Sequence, residues 1–214
     1  MNTQFDELQS VAGPVSRETF EELRHFEAEF RRWSSRINLS APSTLPSLWS
    51  RHILDSAQLI PLSKDASAWL DLGSGGGFPG AVIAILLKGK AGASITLVES
   101  NRKKAAFLSS VLGNLKAPAN VLAIRIEEAW QRGLEPEIIT ARALAPLPEL
   151  LALTSPWLGA GSRALFHKGR DYRAEVANSA AAWRFDLVEH RSAVEAESTI
   201  LEISNLRATA RPAG

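Results

Sequence analysis

Phe20, Leu23, Phe26, Phe30, Trp33 and Ile37 recur at spacings of three and four and draw one apolar stripe down a helix. Ser16 precedes the stripe as an N-cap, with Glu18 in the first turn where a negative charge suits the helix dipole. The opposite face mixes Arg24, Arg31, Arg32 and Arg36 with Glu21, Glu22, Glu27 and Glu29. Pro42 and Pro46 interrupt the pattern; a second helical stretch over residues 48–59 follows, and Pro61 closes it. From Ala66 the rhythm changes to short apolar runs alternating with amphipathic stretches. Strands are predicted near 68–72, 94–99, 121–126, 137–141, 162–167, 184–190 and 198–204, with helices near 79–88, 101–113, 147–157 and 171–182. Such alternation predicts an α/β fold with a mostly parallel seven-stranded sheet covered on both faces. The last two strands are separated only by residues 191–197, so a hairpin is the economical connection and the last strand runs antiparallel.

The chain has 214 residues, enough for an N-terminal helical extension over 1–62 and one α/β domain over 63–214. It has no cysteine, which excludes a disulfide framework, a thiolate metal site and a thiol nucleophile. Four histidines with no His-x-x-x-His pair make a zinc site an unpromising reading, and no metal is expected. The start is polar, without a basic and then apolar leader, and no apolar run approaches the ~20 residues that span a bilayer. The expectation is a cytoplasmic monomer with no membrane contact. A formal charge of +1 gives no global case for nucleic-acid binding, which must rest on local clusters.

Residues 71–80 read Asp-Leu-Gly-Ser-Gly-Gly-Gly-Phe-Pro-Gly, directly after the first predicted strand. Glycines permit positive φ and let a backbone approach a ligand closely. Pro79 suits a first helical turn, where its missing N–H has no partner to lose. Gly75, Gly77 and Gly80 satisfy G-x-G-x-x-G, the dinucleotide fingerprint, and Glu99 lies where a ribose-binding acid belongs. The glycine nearest the strand, however, is Gly73, and Gly73-x-Gly75-x-Gly77 lacks the late third glycine. Proline at 79 also withholds an N–H that a pyrophosphate would use. Strand–Asp71–Leu72–Gly73–x–Gly75–x–Gly77 resembles motif I of class I methyltransferases, which points to S-adenosyl-L-methionine. Glu99 closes the second strand, where a carboxylate accepts both ribose hydroxyls. Ile126-Glu127-Glu128 is expected to end the third strand, where such folds read the adenine edge.

With these pieces placed, the chain resembles the RsmG (GidB) family of bacterial 16S ribosomal RNA guanine-N7 methyltransferases from about Phe30 to Lys168. The matching elements are Trp33-x-x-x-Ile37-Asn38-Leu39-Ser40, Arg51-His52-Ile53-Leu54-Asp55-Ser56, the 71–80 turn, Thr96 to Ser100 with Lys103-Lys104 and Phe107-Leu108, Ile126-Glu127-Glu128, Ala141-Arg142-Ala143 and Lys168-Gly169. Ser40 stands where the family usually has Thr, and Ala141 where Ser is common. The resemblance implies a class I methyltransferase Rossmann-like fold and a small-subunit rRNA partner. It makes Gly73, Phe78, Ile126, Glu127 and Arg142 cofactor-site positions, beside Asp71, Gly75, Gly77 and Glu99 from the turn and strand reading.

The residue inventory suits guanine N7, which offers an in-plane lone pair and no proton, so methylation there needs no general base. After the fourth strand, Ala141 to Pro146 shows no Asn/Asp-Pro-Pro-Tyr/Phe element, which disfavours exocyclic amines. Arg142 and Lys168 are the expected catalytic-site cations. Arg142 can reach guanine O6 or a phosphate, or pair structurally with a carboxylate. Lys168 closes a strand where open α/β sheets bind ligands. Arg31, Arg32, Arg36, Arg51, His52, Lys103, Lys104, Arg170 and Arg173 are further RNA-contact candidates. His52 and Asp55, three apart, are expected to pair and fix the extension against the turn, or to be a plain helix-surface pair. Other readings stay open: a methyltransferase of another substrate, a ribosome-assembly factor with a vestigial cofactor site, and a nicotinamide-dependent oxidoreductase.

Overall fold

The computed structural model describes residues 3–209. Ser16 caps helix α2 (Arg17–Ser34) by accepting from the Thr19 N–H at 3.0 Å. Phe20, Leu23, Phe26 and Phe30 are buried, as their spacing requires. Before it lies α1 (Thr3–Ala12), which the pattern reading did not separate; Phe5, Leu8 and Ala12 form its buried face. On the far side of α2, Arg24 and Arg31 both pair with the buried Glu27. The stretch after Pro42 is not a plain helix. A 3-10 segment (Pro42–Ser47) runs into a π-helical turn (Trp49–Leu54) and then one α-turn, α3 (Asp55–Ala57).

Seven strands follow: β1 (Ala68–Leu72), β2 (Ser94–Val98), β3 (Ala119–Leu122), β4 (Ile138–Arg142), β5 (Arg163–Lys168), β6 (Trp183–Arg191) and β7 (Thr199–Ala208). They form one sheet in the order β3-β2-β1-β4-β5-β7-β6. β1 to β5 are parallel, and β7 runs antiparallel to both β5 and β6. The helices are α4 (Gly80–Leu86), α5 (Arg102–Asn114), α6 (Ile126–Ala129), α7 (Leu147–Leu158) and α8 (Tyr172–Ser179). This is the predicted mostly parallel sheet with its N-terminal helical extension.

The two-residue period of the strands divides the core. Trp69, Ile95, Leu97 and Ile138 face the extension, α4 and α5. Leu70, Leu72, Ile139 and Ala141 face α7 and α8. The strand order reverses between β1 and its neighbours β2 and β4, so a crevice opens at the carboxyl ends of these strands, where α/β sheets bind ligands.

One boundary departs from expectation. β3 stops at Leu122, and Ile126, Glu127 and Glu128 begin α6 instead of ending the strand. The Glu128 carboxylate accepts from the Arg125 N–H at 3.2 Å, which starts the helix there. Among the described residues, no helix is long and apolar enough to cross a membrane.

Candidate active site

The glycine turn leaves β1 at the switch point. Asp71 sits wholly beneath it: the carboxylate accepts from the Thr140 hydroxyl at 2.7 Å, and Oδ2 has no partner. Burial pushes this carboxyl up to about 6. Asp71 was an expected cofactor contact, but it does not line the crevice; it holds the turn against β4 and α4. Gly77 is likewise turned inward. A Cβ there would meet Ala81 at 2.8 Å and Leu108 at 2.9 Å, so its glycine serves packing. Gly75 differs. Its φ is +56°, and an added Cβ would find only the Gly73 carbonyl, at 3.7 Å.

The crevice above the turn holds about 480 Å³, within the range of small-molecule sites. Gly73, Gly75, Phe78, Glu99, Ile126, Glu127 and Arg142 all line it, as expected. Leu39, Ser40, Leu144 and Leu153 add walls that local patterns did not single out. The Glu99 carboxylate accepts from the Gly75 N–H and the Asn101 N–H, both at 2.7 Å, so the acid and the turn fix each other. Lys104 and Arg125 lie at the rim.

Phe78 is where the extension docks. Its ring lies 5.6 Å from Phe26 and 5.2 Å from Phe30, and His52 stacks on it at 5.0 Å and 22°. His52 and Asp55 do not pair directly; Arg142 joins them. Arg142 Nη1 donates to Asp55 Oδ2 at 2.9 Å and to the Arg51 carbonyl at 3.0 Å, and Nη2 donates to His52 Nδ1. A guanidinium always carries its protons, so Nδ1 is the acceptor and Nε2 carries the proton of the neutral ring. Burial, then the Arg142 charge, lowers the His52 pKa to about 4. His167 is buried beside them, its Nε2 donating to the Asp55 carbonyl at 2.9 Å. Burial lowers its pKa as well.

A second cavity of about 560 Å³ adjoins the first, and His52, Arg142, Ala143 and Leu144 line both. Ala143 takes φ +51°, an uncommon backbone for a residue with a side chain, at the point where β4 ends between the cavities. Lys168 lines the second cavity but is buried and paired: Nζ donates to Glu175 Oε2 at 2.7 Å and to the Ala145 carbonyl at 2.8 Å. Among the described residues, no group of His, Cys, Asp or Glu is arranged to hold a metal.

A reversing parallel sheet, a glycine turn after β1 and an acid closing β2 beside one crevice define a class I methyltransferase. Among solved structures the chain is similar to cofactor-bound Rv0187 from MTB, with a TM-score of 0.59 at 11% identity over 92% of this chain and 93% of that one. It is also similar to a point mutant of MtNAS in complex with S-adenosylmethionine, with a TM-score of 0.56 at 15% identity over 92% and 77%. These likenesses establish the fold. The family model GidB, rRNA small subunit methyltransferase G, matches residues 19–203, and the chain belongs to this family. It is 63% identical over 207 residues to the ribosomal RNA small subunit methyltransferase G of Chelativorans sp. (strain BNC1), covering 97% of this chain and 99% of that protein. The protein of the same name from Brucella canis is 56% identical over 203 residues, 95% of each.

Proposed function

We propose that this chain transfers the methyl group of S-adenosyl-L-methionine to N7 of a guanine in 16S rRNA. The observation that carries this reading is the shared wall of His52, Arg142, Ala143 and Leu144 between two cavities. The first cavity fits the cofactor: Gly75 leaves open space toward it, Glu99 offers a carboxylate to ribose hydroxyls, and Phe78, Ile126 and Leu144 supply apolar walls. The second cavity is sized for a base and ringed by cations. S-adenosylmethionine, when bound, supplies a methyl on a positively charged sulfur.

The chain's own task is alignment. N7 carries no proton, so no residue need remove one, and both wall histidines are held neutral away from that work. Arg142 fixes the wall and presents positive charge beside the guanine edge, with Lys168 behind it. Holding two reactants in line supplies about 7–11 kcal/mol of a barrier, enough for a catalyst without acid–base groups. In this reading residues 1–62 form the extension that completes the base-side cavity through Thr44, Arg51, His52 and Asp55. Residues 63–214 form the catalytic domain. Labelled S-adenosylmethionine incubated with the protein and either naked 16S rRNA or small subunits tests this. Label in 16S rRNA is expected with one or both; label in neither would overturn the reading.

A further inference from the structure

Arg51 and Arg170 stand beside the second cavity, and glutamates of one loop hold them. Arg51 Nε donates to Glu195 Oε1 at 2.6 Å. Arg170 Nη2 contacts both carboxylate oxygens of Glu197 at 2.5 Å. Glu195 and Glu197 belong to the β6–β7 connection, residues 192–198. Arg51, Gly169, Glu195 and Ser198 line the cavity itself.

The loop backbone is fixed. The Ala193 N–H donates to Gln58 Oε1 at 2.8 Å, Ser192 Oγ accepts from the Val194 and Glu195 N–H groups, and the Ser198 hydroxyl donates to the Lys168 carbonyl at 3.3 Å. The charged side chains are not fixed in the same way. Arg170 and Glu197 are 73% and 70% exposed, Arg51 and Glu195 56% and 37%. Exposed pairs favour the bound geometry only about one- to fivefold. A carboxylate and a phosphodiester present the same charge and a similar oxygen spacing to a guanidinium, and phosphate is a strong partner for its planar fork.

A guanosine whose base enters the second cavity leaves its own phosphates at the mouth, where these arginines lie. We infer that Arg51 and Arg170 bind RNA phosphodiesters flanking the target nucleotide, and that Glu195 and Glu197 occupy them in the free protein as phosphate mimics. The exchange needs side-chain rotation only, with the loop in place. This rests on the rRNA methyltransferase reading above.

The test compares Glu195→Gln/Glu197→Gln with wild type in binding and methylating naked 16S rRNA across a salt series. The variant is expected to bind about three- to tenfold tighter at low salt. Its affinity should fall more steeply with salt, by about 0.7 in log–log slope for each phosphate gained. A control, Glu18→Gln/Glu21→Gln, removes the same charge from exposed positions of α2 and should change affinity less than about twofold. In an Arg51→Gln/Arg170→Gln background the glutamate substitutions should no longer tighten binding. Unchanged or weaker affinity in the first variant, tightening equal to the control, or tightening that survives loss of the arginines would each overturn the inference. Wild type that methylates rRNA while the variants match it defeats this inference alone; wild type that neither binds nor methylates rRNA defeats the functional reading with it.

Discussion

The two cavities meet at one wall yet are built in opposite ways. The first is mostly backbone and apolar surface, drawn from short runs at the ends of β1, β2 and β3. The second is framed by ion pairs whose members come from the extension, β4, β5, α8 and the β6–β7 loop: Arg51–Glu195, Arg142–Asp55 and Lys168–Glu175. A cofactor common to many enzymes is thus held by a turn, while the substrate side depends on long-range charge pairing. Failure of the first should cost ligand affinity in a folded protein. Failure of the second should cost stability and activity together.

The largest effect is expected at Arg142. Removing its side chain leaves the Asp55 carboxylate buried beside neutral histidines, which costs about 3–5 kcal/mol. Denaturant unfolding of Arg142→Ala should show that loss, with methylation abolished. Asp55→Ala/Arg142→Ala should regain most of the stability but not the activity. A single variant within about 1 kcal/mol of wild type would show that the pair does not hold the wall.

Asp71 sharpens the contrast from beneath the first cavity. Its folded pKa of about 6 lies above the ordinary carboxylate value, so folding favours the protonated form. Relative to Asp71→Asn, wild type is most stable below about pH 4 and loses about 3 kcal/mol as pH rises through 6. Unfolding free energies of the two proteins from pH 4 to 7 measure this difference, and other titrating groups cancel between them. A difference that stays flat with pH would mean that Asp71 is not held in this way.

Gly75 and Gly77, in the same turn, separate ligand effects from packing. Gly75→Val meets no neighbour closer than 3.7 Å and should fold, yet bind S-adenosylmethionine about a hundredfold more weakly by calorimetry, or ~2.8 kcal/mol. Gly77→Val collides with Ala81 and Leu108 and should instead lower the melting temperature, at an overpacking cost of about 1–3 kcal/mol. Equal affinity in a folded Gly75→Val protein would remove the turn from the cofactor site.

The same contrast explains what the sequence disclosed. The stripe from Phe20 to Phe30, the 71–80 turn and Glu99 are local patterns, and each took its expected place. Ile126 and Glu127 reached the crevice from a helix instead of a strand, because Glu128 caps that helix and the apolar run through Ile124 and Ile126 gives no sign of the cap's competing geometry. Asp71 and Gly77 belong to the motif but face inward, and nothing in their spacing tells packing from contact. The partners of Arg142 and Lys168 were beyond local reading. Asp55 lies 87 positions from Arg142, and only the docking of His52 on Phe78 brings them together.

The central claim is that the shared wall presents a guanine N7 to the cofactor cavity. Mapping the product of a reaction with 16S rRNA by strand scission specific for N7-methylguanosine tests it most directly. The account predicts one new scission site, at a guanine, absent without the cofactor and absent with Arg142→Ala. Methyl incorporation into the rRNA with no scission at any guanine would contradict it.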